Sequence, residues 1–218
     1  MIPSLWICAD LGHPNAASLV DRVSSVLALT PACVWLRSPE GTPARALLTV
    51  ARALRSITRD RRGALLVGDR VDVAALADAD GVHLTTRSLP TSEVRSRFSL
   101  AISVATHDER SVREAAPLAD ALVLSPFGAV EGKGPALGRD GFARLRALAG
   151  ETPVVALGGI LTADDARSAL DAGADGVALR RSLLDVDDPA AACAEIARAL
   201  PRRWLTSRAV GENTTRVA

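Results

Sequence analysis

The chain has 218 residues, a length that fits one domain or two small ones. Its 26 Lys and Arg against 25 Asp and Glu leave a net charge of +1, which gives no electrostatic basis for nucleic acid or an anionic membrane as a partner. Hydrophobic residues at 48% and charged residues at 23% exclude global disorder, and 3% aromatics with no Tyr exclude a base-stacking platform. Lys133 is the one lysine; every other cationic residue is Arg.

Cys8, Cys33 and Cys193 are far apart and form no CxxC pair, so a zinc site is not expected. Cys8 and Cys33 lie in apolar runs and read as small buried hydrophobes. No basic region precedes an apolar stretch at the N-terminus, and no apolar run approaches the length of about 18 residues that would span a bilayer. A cytoplasmic, reducing setting is expected.

In chain order, short apolar runs alternate with amphipathic ones. The expected strands are Leu5–Ala9, Cys33–Arg37, Ala64–Val67, Gly81–Leu84, Leu100–Val104, Ala121–Leu124, Val154–Leu157 and Gly176–Leu179. Each is nearly continuous in apolar character, as suits a strand covered on both faces. The expected helices are Ala16–Leu29, Thr42–Arg59, Val71–Ala77, Thr91–Arg97, Glu109–Leu118, Gly138–Ala149, Ala163–Ala172 and Pro189–Leu200. Thr42-Pro43 and Asp188-Pro189 read as a cap before a first-turn proline, and Thr162 with Asp165 reads as a capping box.

A weak repeat joins helix to strand at Ala79-Asp80-Gly81, Ala119-Asp120-Ala121 and Ala174-Asp175-Gly176. Eight strand–helix pairs with a recurring joint predict an α/β fold, a single (β/α)8 TIM barrel of short loops. An open doubly wound sheet is the competitor, weakened because no GxGxxG follows the first strand. The barrel domain is expected over residues 1–205 and a C-terminal tail over residues 206–218.

In a barrel, chemistry sits at the C-terminal ends of strands and in the loops after them. Gly158-Gly159 after the seventh strand, with Arg180 and Arg181 after the eighth, has the form of a phosphate cup, since bare N–H groups and guanidinium forks both suit that anion. A tight turn with solvated arginines is the plain reading of the same residues. Lys133, flanked by Gly132 and Gly134, sits in a loop over this rim and suits a polyanion; a surface lysine is the alternative. Asp69 reads either as a Mg2+ ligand or as the partner of Arg70 or Arg37. His83 reads as a core histidine, and His107 as a helix cap or a ligand contact. No nucleophile elbow, HExxH or Walker loop is present.

Taken in order, Asp80-Gly81-Val82-His83-Leu84, Ser103-Val104-Ala105-Thr106-His107, Ser125-Pro126 with Lys133, Pro153 to Ile160, and Ala172 to Ala178 form one set. The set resembles the thiamine-phosphate synthase/TenI family of small barrels, over about residues 5–200. The resemblance implies that a hydroxymethylpyrimidine diphosphate loses Mg2+-bound pyrophosphate, and that the nitrogen of a thiazole phosphate captures the resulting cation. It implies that Arg37 and Lys133 contact the pyrophosphate, that Asp69 is a Mg2+ ligand, and that Gly158, Gly159, Arg180 and Arg181 form the thiazole-phosphate cup.

The chain departs from the family's pattern at several positions. Trp35 and Pro39 replace the Gln and Lys that flank Arg37. Gly68 replaces an Asn, Ser88 a second Mg2+ carboxylate, and Ala105 a serine; Val130 and Gly132 replace the threonines before Lys133. Pro126 stands where the TenI branch has its histidine. The leading expectation is a synthase with an altered diphosphate and Mg2+ site. The alternative is a TenI-like or other phosphorylated-ligand-binding barrel without catalysis. Either way the expected partners are small phosphorylated heterocycles, and self-association is left open.

Overall fold

The structure is a computed structural model that describes residues 2–201 and 204–205. Eight parallel strands close into a barrel in sequential order: β1 Leu5–Asp10, β2 Cys33–Arg37, β3 Ala64–Gly68, β4 Gly81–Leu84, β5 Ala101–Thr106, β6 Ala121–Leu124, β7 Val154–Leu157 and β8 Gly176–Leu179. Around it run α1 Leu19–Leu29, α2 Ala44–Asp60, α3 Val71–Leu76, α4 Thr91–Arg97, α5 Glu109–Ala115, α6 Gly138–Leu148, α7 Ala163–Asp171, α8 Arg181–Leu184 and α9 Pro189–Ala197. The open-sheet alternative is excluded by the pairing of β8 with β1. The expected tail, residues 206–218, lies outside the described residues. Ile2–Pro3 pairs antiparallel with Trp204–Leu205. None of the described helices is long and apolar enough to cross a membrane.

Alternation along the strands sorts side chains to two sides. Outward residues such as Ile7, Leu36, Leu65, Val67 and Leu122 pack under the helices with Phe142 of α6, all fully buried. Inward residues fill the barrel: Trp6, Leu66, Val123 and Val155, with Cys33, Ala64, Ala101, Ala121 and Ala178 between them. Small residues are needed where strands crowd. A Cβ on Gly81 would come within 2.2 Å of the Ala101 carbonyl oxygen, and one on Gly176 within 2.2 Å of the Ser4 carbonyl oxygen. Cys8 and Cys33 are buried and unpaired, as their apolar runs suggest, and so is Cys193.

Helix ends differ from expectation where local chemistry intervenes. The first helix starts at Leu19 because Pro14–Ser18 forms a 3-10 turn, with the His13 ring accepting from the Asn15 N–H. Thr42 does not cap α2: its hydroxyl donates to the Pro39 carbonyl at 2.7 Å, and Pro43 takes the cap position with no side-chain bond. Asp188 and the Thr162–Asp165 box cap α9 and α7 as expected.

The repeated Ala-Asp joint has one physical meaning. Leu65 N–H donates to Asp80 Oδ2 at 2.8 Å, Ile102 N–H to Asp120 Oδ2 at 2.8 Å, and Val154 N–H to Asp175 Oδ2 at 2.9 Å. The Asp N–H groups return a bond to the carbonyls of the same three residues. Each carboxylate also pairs with an arginine from every second helix: Arg55 of α2, Arg95 of α4 and Arg146 of α6, at 2.7, 2.6 and 3.2 Å. These clamps tie neighbouring strands together at the N-terminal end of the barrel. Asp120 is the deepest of the three, its side chain 1% exposed. Truncating it strands a guanidinium and a backbone N–H, so Asp120→Ala is expected to destabilise the fold by about 3 kcal/mol. Urea unfolding checks this; a loss within the range of a surface substitution, about 0.5 kcal/mol, would contradict the clamp.

Candidate active site

The inward alternation that packs the barrel also delivers polar residues to its C-terminal mouth. On β1, Trp6 is followed inward by Cys8 and then Asp10; on β2, Cys33 by Trp35 and Arg37. Asp10 pairs in register with Arg37, and Arg180 follows β8 on the other side of β1. The result is a three-residue cluster. Arg37 Nη1 and Arg180 Nε both donate to Asp10 Oδ2, at 3.1 and 3.0 Å, while Gly12 N–H donates to Asp10 Oδ1 at 3.0 Å. Asp10 is 5% exposed, whereas the two guanidinium side chains are 52% and 40% exposed. Arg181 opens α8 as an exposed residue outside this cluster.

Asp69 follows β3 in the left-handed region, at φ +59°. Thr85 Oγ1 donates to its Oδ1 at 2.9 Å, and the Ser88 hydroxyl donates to the same oxygen. Neither ion pair considered for Asp69 forms. Arg70 turns to Asp72, with bonds of 2.8 and 2.5 Å, and Arg37 is held by Asp10. Asp69 and Ser88, the two positions the resemblance links to Mg2+, are therefore in direct contact, as a carboxylate and a hydroxyl. Among the described residues no group of three or more His, Cys, Asp or Glu is placed to hold a metal.

Gly158 and Gly159 have φ of +98° and +72°. A Cβ on Gly159 would lie 2.5 Å from Gly128 Cα, so the turn is glycine partly to let the β6–α6 loop pack against it. The N–H groups of Gly159 and Ile160 donate to no carbonyl among the described residues. Just before α7, Asp165 Oδ2 accepts from the N–H groups of Leu161 and Thr162, at 3.0 and 2.9 Å, and the Asp165 N–H donates to Thr162 Oγ1 at 3.1 Å. Lys133 is exposed in the β6–α6 loop, and Gly132 and Gly134 beside it have open space around them.

Below the mouth, the Trp35 and His83 rings meet with centroids 3.9 Å apart. They meet across β3 because Gly68 carries no side chain: a Cβ there would lie 3.2 Å from Trp35 Nε1. His83 Nδ1 bonds Ser103 Oγ at 2.7 Å, while His83 Nε2 and Trp35 Nε1 have no partner among the described residues. His83 is fully buried, as a core histidine would be. His107 does not cap α5; Asp108 does, and the His107 Nδ1–H donates to the Ser125 carbonyl at 2.8 Å. Cys8 is no nucleophile, since burial and the neighbouring Asp10 push its thiol up to about 12. Asp10 was not singled out by the sequence. The available signal was an acidic residue ending one strand between two whose ends carry arginine.

Burial brings the His83 pKa down to about 3 from 6.5, so the folded ring is neutral where the unfolded one is charged. Between those values the unfolded chain binds more protons. Stability therefore falls as pH drops through that window, by up to about 1.4 kcal/mol per pH unit. In His83→Gln this contribution is absent. The difference in unfolding free energy between the wild type and His83→Gln is expected to narrow from about pH 7 to about pH 4. Parallel pH profiles for the two proteins would contradict a buried neutral imidazole.

Comparison with known proteins agrees with this geometry. The family profile described as thiamine monophosphate synthase matches residues 6–183. A thiamine-phosphate synthase of Methanoculleus marisnigri is 40% identical over 176 residues, covering 78% of this chain and 80% of that protein. One from Azorhizobium caulinodans is 34% identical over 94% of this chain and 96% of its own. The solved thiamine phosphate pyrophosphorylase of Pyrococcus furiosus superposes with a TM-score of 0.80 at 27% identity, over 90% of this chain and 94% of that one. With a profile spanning the barrel and relatives matched over most of their length, this chain belongs to the thiamine monophosphate synthase family.

Proposed function

We propose that the protein is a thiamine-phosphate synthase: it joins hydroxymethylpyrimidine diphosphate to thiazole phosphate, giving thiamine phosphate and pyrophosphate. The observation that carries this reading is the cationic mouth, where Arg37 and Arg180 are gathered on one buried carboxylate at the C-terminal end of the barrel. In this reading Arg37 and Lys133 hold the diphosphate, offering a planar fork and a point charge respectively. The N–H groups around Gly158 and Gly159, with Arg180 and Arg181, hold the thiazole phosphate. The C–O bond to the diphosphate breaks, its electron pair leaves with pyrophosphate, and the thiazole nitrogen forms the new C–N bond. The protein's part is to place the two phosphates so that nitrogen and carbon face each other.

The donor set around Asp69 fits Mg2+ as an ion shared with a diphosphate. One carboxylate with the Thr85 and Ser88 hydroxyls would offer hard oxygens of the kind Mg2+ takes. When bound, Mg2+ neutralises charge on the departing pyrophosphate. Asp69, Thr85 and Ser88 would hold it.

A second reading, a barrel that binds phosphorylated ligands without catalysis, is favoured by the hydroxyl of Ser88 in place of a second carboxylate. Incubating the protein with both precursors and Mg2+ decides between the two. Thiamine phosphate is the expected product. Its absence, with thiazole phosphate still bound by calorimetry, leaves the binding reading. Lys133→Ala is expected to weaken diphosphate binding by about 1.5 kcal/mol or more; an unchanged affinity would return Lys133 to the exposed surface.

A further inference from the structure

At the mouth of the barrel the most enclosed charge has no assigned role. Asp10 is fixed by the Gly12 N–H on Oδ1, and through Oδ2 it holds a guanidinium from each side, Arg37 of β2 and Arg180 after β8. Because one oxygen takes both, the two donor nitrogens can be no farther apart than the sum of their contacts, within the span of a single diphosphate. Each guanidinium has five N–H groups and gives one of them to Asp10, so the others stay available on half-exposed side chains. Without the carboxylate, two like charges on long flexible chains would repel and separate.

We propose that Asp10 is a positioning residue, which sets the spacing of Arg37 and Arg180 so that both grip one diphosphate-bearing ligand. The proposal rests on reading the mouth as an anion site. It makes Arg180 a partner of Arg37 on one ligand, in addition to any contact with a second phosphate. Asp10 does not touch the ligand; it acts through the two arginines.

Charge and spacing predict opposite results when Asp10 is neutralised. Asp10→Asn raises the net charge of the cluster from one positive to two. Charge alone therefore strengthens every anion and favours the more highly charged pyrophosphate most. Loss of spacing removes the advantage of a ligand long enough to engage both arginines, and leaves a single phosphate indifferent. The decisive quantity is the ratio of pyrophosphate affinity to inorganic phosphate affinity, which a fold-stabilising role would not move.

The test is calorimetric titration of the full chain with pyrophosphate and with inorganic phosphate at one ionic strength. Wild type is expected to prefer pyrophosphate, and Asp10→Asn to lose at least tenfold of that preference. Arg180→Lys keeps the charge but not the Nε fork, sits at a half-exposed position, and is expected to show the same loss even if Asp10→Asn fails to fold. A preference that is unchanged or increased in either folded variant overturns the positioning role alone. Wild-type protein that binds neither anion overturns the anion-site reading and this proposal together.

Discussion

A carboxylate set between two parallel strands, taking an N–H from one and a guanidinium from the helix outside, is the bond that fastens three of the barrel's strand pairs. Near the start of a strand an N–H can point past the end of the neighbouring ladder, and a buried orphan donor is destabilising by about 1–3 kcal/mol. Asp80, Asp120 and Asp175 remove that problem at β3, β5 and β7. Their arginines reach further. Arg95 also donates to the Leu118 carbonyl at 2.9 Å, and Arg146 to those of Gly173 and Gly150, at 3.1 and 2.9 Å. A planar fork bonds a carboxylate and a neighbouring carbonyl together; an ammonium presents a compact charge with no such geometry. The scarcity of lysine thus has a structural use, whatever its origin.

The same bond recurs, inverted in purpose, at the opposite end. Asp10 takes a backbone N–H and two guanidiniums, as the lower carboxylates take a backbone N–H and one. The difference is exposure. Arg55, Arg95 and Arg146 are mostly covered, and Arg95 and Arg146 spend further donors on backbone carbonyls. Arg37 and Arg180 keep about half of their surface open. The arginines at the lower end are spent on the fold's own carboxylates and carbonyls, while those at the mouth keep donors on open surface.

The strands and their order were legible because a strand covered on both faces must be apolar at every position, and eight such runs leave few topologies. The Ala-Asp repeat was legible as a pattern but not as a clamp, since its partners Arg55, Arg95 and Arg146 lie on distant helices. Arg37, Asp69, Gly158, Gly159 and Arg180 fall on the rim because strand ends must. Asp10 was missed for a similar reason: its partners are 27 and 170 residues away, and no local spacing encodes them. The Asp165 cap was readable, yet its reach back to the Leu161 N–H as well as that of Thr162 needed coordinates.

The departures from the family's pattern are not independent events. Trp35 and a side chain at position 68 compete for one volume, because a Cβ on Gly68 would already lie 3.2 Å from the indole nitrogen. The absence of a side chain at Gly68 leaves room for the Trp35 indole, whose ring meets His83 at 3.9 Å between centroids. Ser88 is a second, separate change, and it keeps a bond to Asp69 while dropping a charge. The arginines at the rim are untouched by either. The departures reach the rim as well: Pro39 follows Arg37 by two residues, and Val130 and Gly132 precede Lys133. Arg37 and Lys133 themselves remain as cations there. Trp35 beside Gly68 is a packing match that fold stability alone explains, whereas Asp10 holds two guanidiniums whose remaining donors sit on half-exposed side chains.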